Sequence, residues 1–176
     1  MNSTAQQASQ VNLRWMLRAD MPDVLAIERE GFEFPWPAED FIRCLGQRNC
    51  IGKVAEHGHQ IVGFMIYELH KTHLRIVNFA VAAGVRRQGV GTRMAQALVR
   101  MLSLTGRTRI SIEIRETNLV AQLFFRAQGF RAVSVLRGRY HFEISPEDAY
   151  VMEYRLASCD GRLGHHSSGP AVPGKG

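Results

Sequence analysis

The chain has 176 residues, of which 45% are apolar and 22% charged, a composition that supports one globular domain and excludes disorder as its main state. It lacks both a run of roughly 18 apolar residues and the features of a secretory signal, so we expect a cytoplasmic protein that does not span a membrane. The net charge of +6 is concentrated in residues 86–139, where eleven arginines face two acidic residues; unless this is only a solvated basic surface, it requires nucleic acid or a phosphate-bearing cofactor as partner.

The first third of the chain predicts one strand and two short helices. In chain order these are a strand over residues 12–18, a helix from Asp20 to about Gly31, and a helix over residues 38–45. Asp20 is a residue type that caps helices, and Pro22 suits a first turn. Residues 1–11 are polar, so we expect them to be flexible.

The rest of the chain predicts six strands and two helices. The strands cover residues 51–56, 60–69, 74–82, 108–114, 130–137 and 149–156, and the helices cover residues 92–104 and 119–128. Strand 74–82 is apolar enough to be buried on both faces. This order predicts one α/β domain with a mixed sheet over residues 12–157. Residues 158–176 are rich in Gly, Ser, Pro and His and are expected to be a disordered tail.

The three cysteines, Cys44, Cys50 and Cys159, are an odd number without a CxxC pair. This pattern predicts neither a disulfide framework nor a metal site. We expect Cys44 and Cys50 to be small apolar residues of the core and Cys159 to be exposed in the tail.

Residues 86–92, RRQGVGT, lie between a predicted strand and a predicted helix. Glycine lets a backbone approach a bulky ligand, and the N–H groups and positive dipole at a helix start form an anion site suited to pyrophosphate. The segment lacks the Lys-Ser/Thr ending of a P-loop and the third glycine of a dinucleotide fingerprint. On its own it fits a plain strand-to-helix turn as well as an anion site.

The R-x-x-G-x-G pattern in this segment resembles the acetyl-CoA pyrophosphate loop of the GNAT acetyltransferases. Further along, Glu113, Asn118, Ala121 and the run LFFRAQGF at residues 123–130 resemble the end of the same fold. The resemblance covers about residues 12–156. It implies a central mixed, mostly antiparallel sheet of about seven strands flanked by about four helices.

Upstream, the segment FPWP at residues 34–37 and Phe41 are similar to the corresponding loop of the N-terminal acetyltransferases that modify ribosomal-protein alanine. The resemblance therefore implies transfer of an acetyl group from acetyl-CoA to a protein N-terminus, including that of a ribosomal protein. We expect a monomer.

The resemblance also implies which residues bind the cofactor. The backbone N–H groups of one strand would stabilise the oxyanion and pair with the pantetheine arm, and the glycine loop would bind the pyrophosphate. In chain order the implied residues are Phe79, Ala80, Val81, Arg86, Arg87, Gln88, Gly89, Val90, Gly91, Thr92, Asn118 and Phe125. Asn118 is equally a plain helix cap.

Glu113 matches the family's general base, acting through water on an amine that must be neutral to attack. A peptide α-amine has a pKa of roughly 7.7–8.0 and loses its proton more easily than a lysine at roughly 10.4. The alternative is that Glu113 only forms ion pairs with Arg109 and Arg115, which share its face of the strand.

The sequence departs from the family at its general acid, a tyrosine seven residues after the asparagine, because Phe125 stands at that position. Tyr140 is the candidate replacement, or else it is a wall of the substrate pocket and no acid is needed. The family has a second tyrosine where this chain has His141.

We expect the other wall of the substrate pocket to be acidic and aromatic and to face a cationic peptide N-terminus. Its residues are Glu33, Phe34, Pro35 and Trp36; the alternative for Trp36 is that it only packs beneath its loop.

Two other functions compete: acetylation of a small amine or a lysine, and a non-catalytic acyl-CoA-binding or RNA-associated module. RNA binding needs exposed aromatics among the arginines. The aromatics of the basic half, Phe124, Phe125 and Phe130, fit a core helix instead, so nucleic acid is not expected as a partner.

Overall fold

The computed structural model describes residues 11–141 and 146–156, so the predicted tail, Cys159 and most of the predicted flexible N-terminus lie outside the described residues. Val11, which we expected to be flexible, is buried in the core. The strands are β1 Asn12–Trp15, β2 Cys50–His57, β3 Gln60–Leu69, β4 His73–Val81, β5 Arg109–Arg115, β6 Arg131–His141 and β7 Pro146–Arg155. The helices are α1 Met21–Gly31, α2 Ala38–Leu45, α3 Val90–Thr105 and α4 Leu119–Ala127.

These strands form one seven-stranded sheet in the order β1-β2-β3-β4-β5-β7-β6. Its central pair, β4 and β5, is parallel, and the five other neighbouring pairs are antiparallel. The long connection through α3 makes the parallel pairing possible, whereas short connections join β2 to β3 and β3 to β4. The predicted mixed, mostly antiparallel sheet with four helices is confirmed.

Two predictions about the first elements need correction. The first strand ends at Trp15 and not at residue 18. Asp20 stands at the start of α1, but its carboxylate does not cap that helix: it accepts hydrogen bonds from Arg14 at 2.7 and 2.9 Å and from the Leu17 N–H at 2.7 Å. A nearby guanidinium is the stronger donor for a carboxylate, so it takes the place of the helix N–H groups.

The core consists of two clusters of buried apolar side chains, one on each face of the sheet. Side chains alternate between faces along a strand, so β3 contributes Phe64 and Ile66 to one cluster and Met65 and Tyr67 to the other. Helices α1 and α2 cover the first cluster, and α3 and α4 cover the second. Cys44 and Cys50 are buried in the first cluster with their sulfur atoms 2.8 Å apart, in the core position that we expected.

Part-way along β4, the alternation of its side chains between the two faces of the sheet is reversed. This corrects the expectation of a strand that is buried uniformly on both faces. The register with β3 passes from Asn78 opposite Ile66 to Ile76 opposite Tyr67, so Val77 is an extra residue, a β-bulge. Ahead of the bulge, the side chain of Arg75 is 36% exposed on the face opposite that of Leu74 and Ile76. Bulges re-aim side chains, and this one lies where the candidate site begins.

Candidate active site

The two parallel strands β4 and β5 separate in the middle of the sheet. Their paired residues run from His73 with Arg109 to Ile76 with Ile112. Beyond that point β4 remains paired with β3 as far as Val81, but it has no paired residue on β5. The segment Phe79–Val81 thus presents backbone groups to a cleft between the strands.

At the end of β4 the chain enters the glycine loop, and two of its residues adopt left-handed backbone conformations. Gly89 has φ +86° directly before α3, and Arg87 has φ +64°. A left-handed conformation is easy for glycine and strained for arginine. Turns that contain left-handed residues can direct successive N–H groups toward one point, a geometry that binds anions. The two left-handed residues ahead of α3 are compatible with such a site.

Not every side chain of the loop can contact an anion. Arg86 turns back and donates to the Val81 carbonyl at 3.0 Å, and Gln88 donates to the Gly84 carbonyl at 3.1 Å. Val90 is a core residue, 4% exposed. Of these residues, Val90 can offer only its backbone N–H, which lies at the start of α3.

Gly91 has a packing reason to be glycine. A Cβ at this position would lie 3.2 Å from two ring carbons of Phe124 on α4. Thr92, one residue further, accepts a long hydrogen bond of 3.5 Å from Gln128 at the end of the same helix. Residues 91–92 thus join α3 to α4, a role that the sequence did not predict.

Glu113 is the first residue of β5 beyond its last pair with β4, at the edge of the cleft. Its two carboxylate oxygens accept hydrogen bonds from different arginines, Arg75 at 2.9 Å and Arg139 at 2.8 Å. Glu113 is ion-paired, but not with the expected Arg109 and Arg115. Burial alone would raise the pKa of the Glu113 carboxyl, but Arg139 and Arg75 outweigh burial and lower that pKa below its ordinary value.

Arg115 lies two residues beyond Glu113 and connects both sides of the cleft. Its guanidinium donates to Glu33 at 3.1 Å and to Glu147 at 2.7 Å. It also lies 5.0 Å from the ring centre of Phe34 and 6.0 Å from that of Tyr140. Arg115 therefore joins the two walls that the sequence predicted as separate sides of a substrate pocket.

This contact changes the expected charge of the first wall. The Glu33 side chain is 70% exposed, but its carboxylate is paired with Arg115. Glu147 on β7 is buried and also accepts from the N–H and hydroxyl of Thr117. The mouth of the cleft is a network of paired charges and not the purely acidic surface that we expected.

Trp36 and Tyr140 are both partly buried. The Trp36 ring packs edge-on against Phe41 of α2, with centres 5.5 Å apart, as the packing interpretation of this residue predicts. Pro35 beside it is exposed. Burial, followed by the charge of Glu113, raises the pKa of the Tyr140 phenol, which therefore stays protonated at neutral pH.

Phe125 is 3% exposed within an aromatic cluster, 5.4 Å from Phe79 of β4 and 5.1 Å from Phe130. These rings belong to the core, as we expected for the aromatics of the basic half. Asn118 caps α4 as predicted, because its side-chain oxygen accepts from the Ala121 N–H at 3.1 Å.

Sequence reasoning did not identify Arg75, Arg139 and Glu147 as part of this site. Arg75 could have been noticed, because it is a charged residue inside the apolar segment LRIVNFAVA. The described residues contain no group of three or more side chains suited to hold a metal ion. None of the helices in this part of the chain is long and apolar enough to cross a membrane.

Comparison with known proteins identifies similar sequences along most of the chain. A family model described as the acetyltransferase (GNAT) family matches residues 21–130. The ribosomal protein bS18-alanine N-acetyltransferase of Escherichia coli is 26% identical over 133 residues, which cover 76% of this chain and 89% of that protein. The N-alpha-acetyltransferase of Sulfurisphaera tokodaii is 26% identical over 163 residues, covering 84% of this chain and 95% of that protein.

Solved structures share the fold. The crystal structure of the ribosomal-protein-S18-alanine N-acetyltransferase from Escherichia coli has a TM-score of 0.76 at 22% identity, covering 87% of this chain and 98% of that one. Arabidopsis thaliana Naa50, in complex with the bisubstrate analogue CoA-Ac-MVNAL, has a TM-score of 0.70 at 19% identity. That match covers 84% of this chain and 99% of the other.

Proposed function

The chain belongs to the acetyltransferase (GNAT) family, so acetyl-CoA is its co-substrate, and we propose that it transfers the acetyl group to the N-terminal α-amine of a protein. The observation that carries the proposal is the position of Glu113. It lies at the point where β4 and β5 separate, and Arg115 two residues further joins the walls formed by Phe34 and Tyr140. A carboxylate at the edge of a two-walled cleft suits the end of a peptide chain.

Acetyl-CoA supplies an activated acetyl thioester, and residues of this chain fit its parts. Gly89 and the start of α3 offer N–H groups and a helix dipole to the pyrophosphate. Backbone groups of Phe79, Ala80 and Val81 face the cleft without a partner on β5, so they are suited to hold the pantetheine arm and the developing charge on the acetyl oxygen. Arg87 is exposed beside the loop and can approach a phosphate.

Glu113 would receive the proton of the attacking amine through a water molecule. With both oxygens bonded to arginines, it is a weak base that stays ionised at neutral pH. A weak base suffices for an amine of which an appreciable fraction is already neutral at neutral pH, such as an α-amine with a pKa of roughly 7.7–8.0. A lysine at roughly 10.4 is almost entirely protonated at neutral pH, so this site favours α-amines.

Tyr140 suits the substrate wall better than the role of general acid. Its ring faces Arg115, across from Phe34, and a thiolate leaves without obligatory protonation. Phe125, which stands in place of the family's tyrosine, then serves only as an apolar side chain beside the pocket for the CoA thiol.

A ribosomal-protein N-terminus beginning with alanine is the first acceptor to test, because the similar Escherichia coli protein is named for that reaction. We also propose that the chain works in the cytoplasm and as a monomer. The experiment is release of CoA thiol from acetyl-CoA in the presence of an alanine-initiated peptide, spermine, or a lysine peptide with a blocked N-terminus. Turnover with the first acceptor alone supports the proposal, and turnover with spermine or lysine alone supports the competing acceptor classes.

A further inference from the structure

A buried glutamate outside the catalytic cleft connects three elements of the fold. Glu28 lies near the end of α1 and is only 1% exposed. One carboxylate oxygen accepts from the backbone N–H of Trp36 at 2.9 Å, and the other accepts from the side-chain amide of Asn78 at 3.0 Å. Removing a carboxylate from water is costly, so its hydrogen bonds must compensate.

The two partners of Glu28 belong to the two sides of the proposed site. Trp36 is part of the aromatic loop, residues 32–37, which supplies one wall of the acceptor pocket. Asn78 precedes Phe79 on β4, directly after the bulge at Val77. Glu28 is therefore the buried link between the acceptor wall and the strand that faces the thioester.

We propose that Glu28 is a positioning residue for the acceptor amine, holding the aromatic loop at a fixed distance from β4 through its bonds to Trp36 and Asn78. The proposal rests on the proposed function and extends it to a residue that does not touch substrate. The loop has a second, more exposed attachment, where Arg115 contacts Glu33 and Phe34. Two attachments at its two ends would fix the loop's orientation as well as its position.

The side-chain oxygen of Asn78 adds a distinguishing prediction. It is buried and has no hydrogen-bond partner among the described residues. A glutamine at position 28 could accept from the Trp36 N–H with its oxygen and donate to this Asn78 oxygen with its amide, after the Asn78 amide turns over. The attachment of the aromatic loop to β4 thus depends on hydrogen bonding at position 28 and not on negative charge.

The test compares Glu28→Met with Glu28→Gln. The two side chains have similar size, and methionine suits the surrounding apolar cluster but cannot bond to Trp36. Glu30→Ala, at an exposed position of the same helix, is the control. In all variants Trp15, which is 60% exposed, is replaced by phenylalanine so that emission reports Trp36 alone.

We expect Glu28→Met to raise the KM for an alanine-initiated peptide about tenfold and to leave the KM for acetyl-CoA within about twofold. Trp36 emission should shift to longer wavelength in the same variant, while Glu28→Gln and Glu30→Ala match the parent. Melting curves by circular dichroism verify that each variant is folded.

Equal rises in both KM values, or a folded Glu28→Met variant with parental KM and emission, would overturn the proposal. So would a Glu28→Gln variant as defective as Glu28→Met. If the parent acetylates no peptide, the proposed function fails, and Trp36 emission still decides whether Glu28 holds the loop.

Discussion

At the scale of single residues, the account depends on Glu113. Replacing Glu113 with glutamine keeps its shape but removes the charge that Arg75 and Arg139 hold in place. We expect turnover to fall by about 10²–10⁴-fold, the usual loss for a general base, with acetyl-CoA affinity little changed. The control is Glu153→Gln on the adjacent strand, which also loses ion pairs with arginines. Parental turnover in Glu113→Gln would remove the residue from the mechanism.

The lowered pKa of Glu113 also predicts the pH dependence. Because this carboxyl loses its proton below its ordinary value of 4.5, it is ionised throughout the neutral range, and protonation would remove activity only in acid. Between about pH 6 and 9 we expect kcat/KM to rise with pH and level off near the α-amine pKa of roughly 7.7–8.0. Initial rates with an alanine-initiated peptide measure this. A profile that is already flat at about pH 6 would contradict it.

The absent tyrosine separates two mechanisms. If no general acid is needed, Tyr140→Phe should raise the peptide KM, because the pocket wall loses its hydroxyl. Turnover should stay nearly unchanged, because the ring and its contact with Arg115 remain. Phe125→Tyr should do little, apart from the cost of placing a hydroxyl in the aromatic cluster. A turnover loss of about 10²-fold in Tyr140→Phe that Phe125→Tyr restores would instead establish a side-chain acid.

At the scale of elements, the separation of β4 from β5 and the loop before α3 define the proposed cofactor side. Gly89 has φ +86°, so an alanine there would be strained by about 1–2 kcal/mol and would tilt the N–H groups at the helix start. We expect Gly89→Ala to weaken acetyl-CoA binding about tenfold by calorimetry.

The matched control for this loop is Gly84→Ala. Gly84 has no neighbouring atom within 4 Å of a Cβ and no left-handed backbone. Its substitution should leave affinity unchanged. Equal affinities for the two variants would mean that the loop does not bind the pyrophosphate. Gly91 is a poorer test of this loop, because a side chain there also meets Phe124.

The sequence predicted those features that depend on residues close together in the chain, and it missed those that depend on distant residues. Helix α2 and the cap of α4 by Asn118 depend on neighbouring residues, and both were predicted. The partners of Glu113 were not, because Arg75 and Arg139 lie 38 and 26 residues away along the chain. Their proximity depends on strand register and on the β4 bulge, which local patterns do not reveal.

At the scale of the whole molecule, one sheet brings the glycine loop, the cleft and the aromatic loop together. Among the eleven arginines in residues 86–139, Arg115 and Arg139 are paired within the cleft, and Arg86 donates to the backbone of β4. The charge excess that suggested an anionic partner is thus partly structural. The family match accounts for acetyl-CoA as that partner.

The central claim is that the acetyl group goes to a peptide α-amine. The most direct measurement is to incubate the protein and acetyl-CoA with a peptide library. Every member of the library has a free N-terminus and one internal lysine. Fragment mass spectrometry then locates the acetyl group. The account predicts acetylation at the N-terminus, with a restricted set of first residues and with lysine side chains unmodified. Acetylation confined to lysine, or no transfer to any peptide while spermine is acetylated, would contradict it.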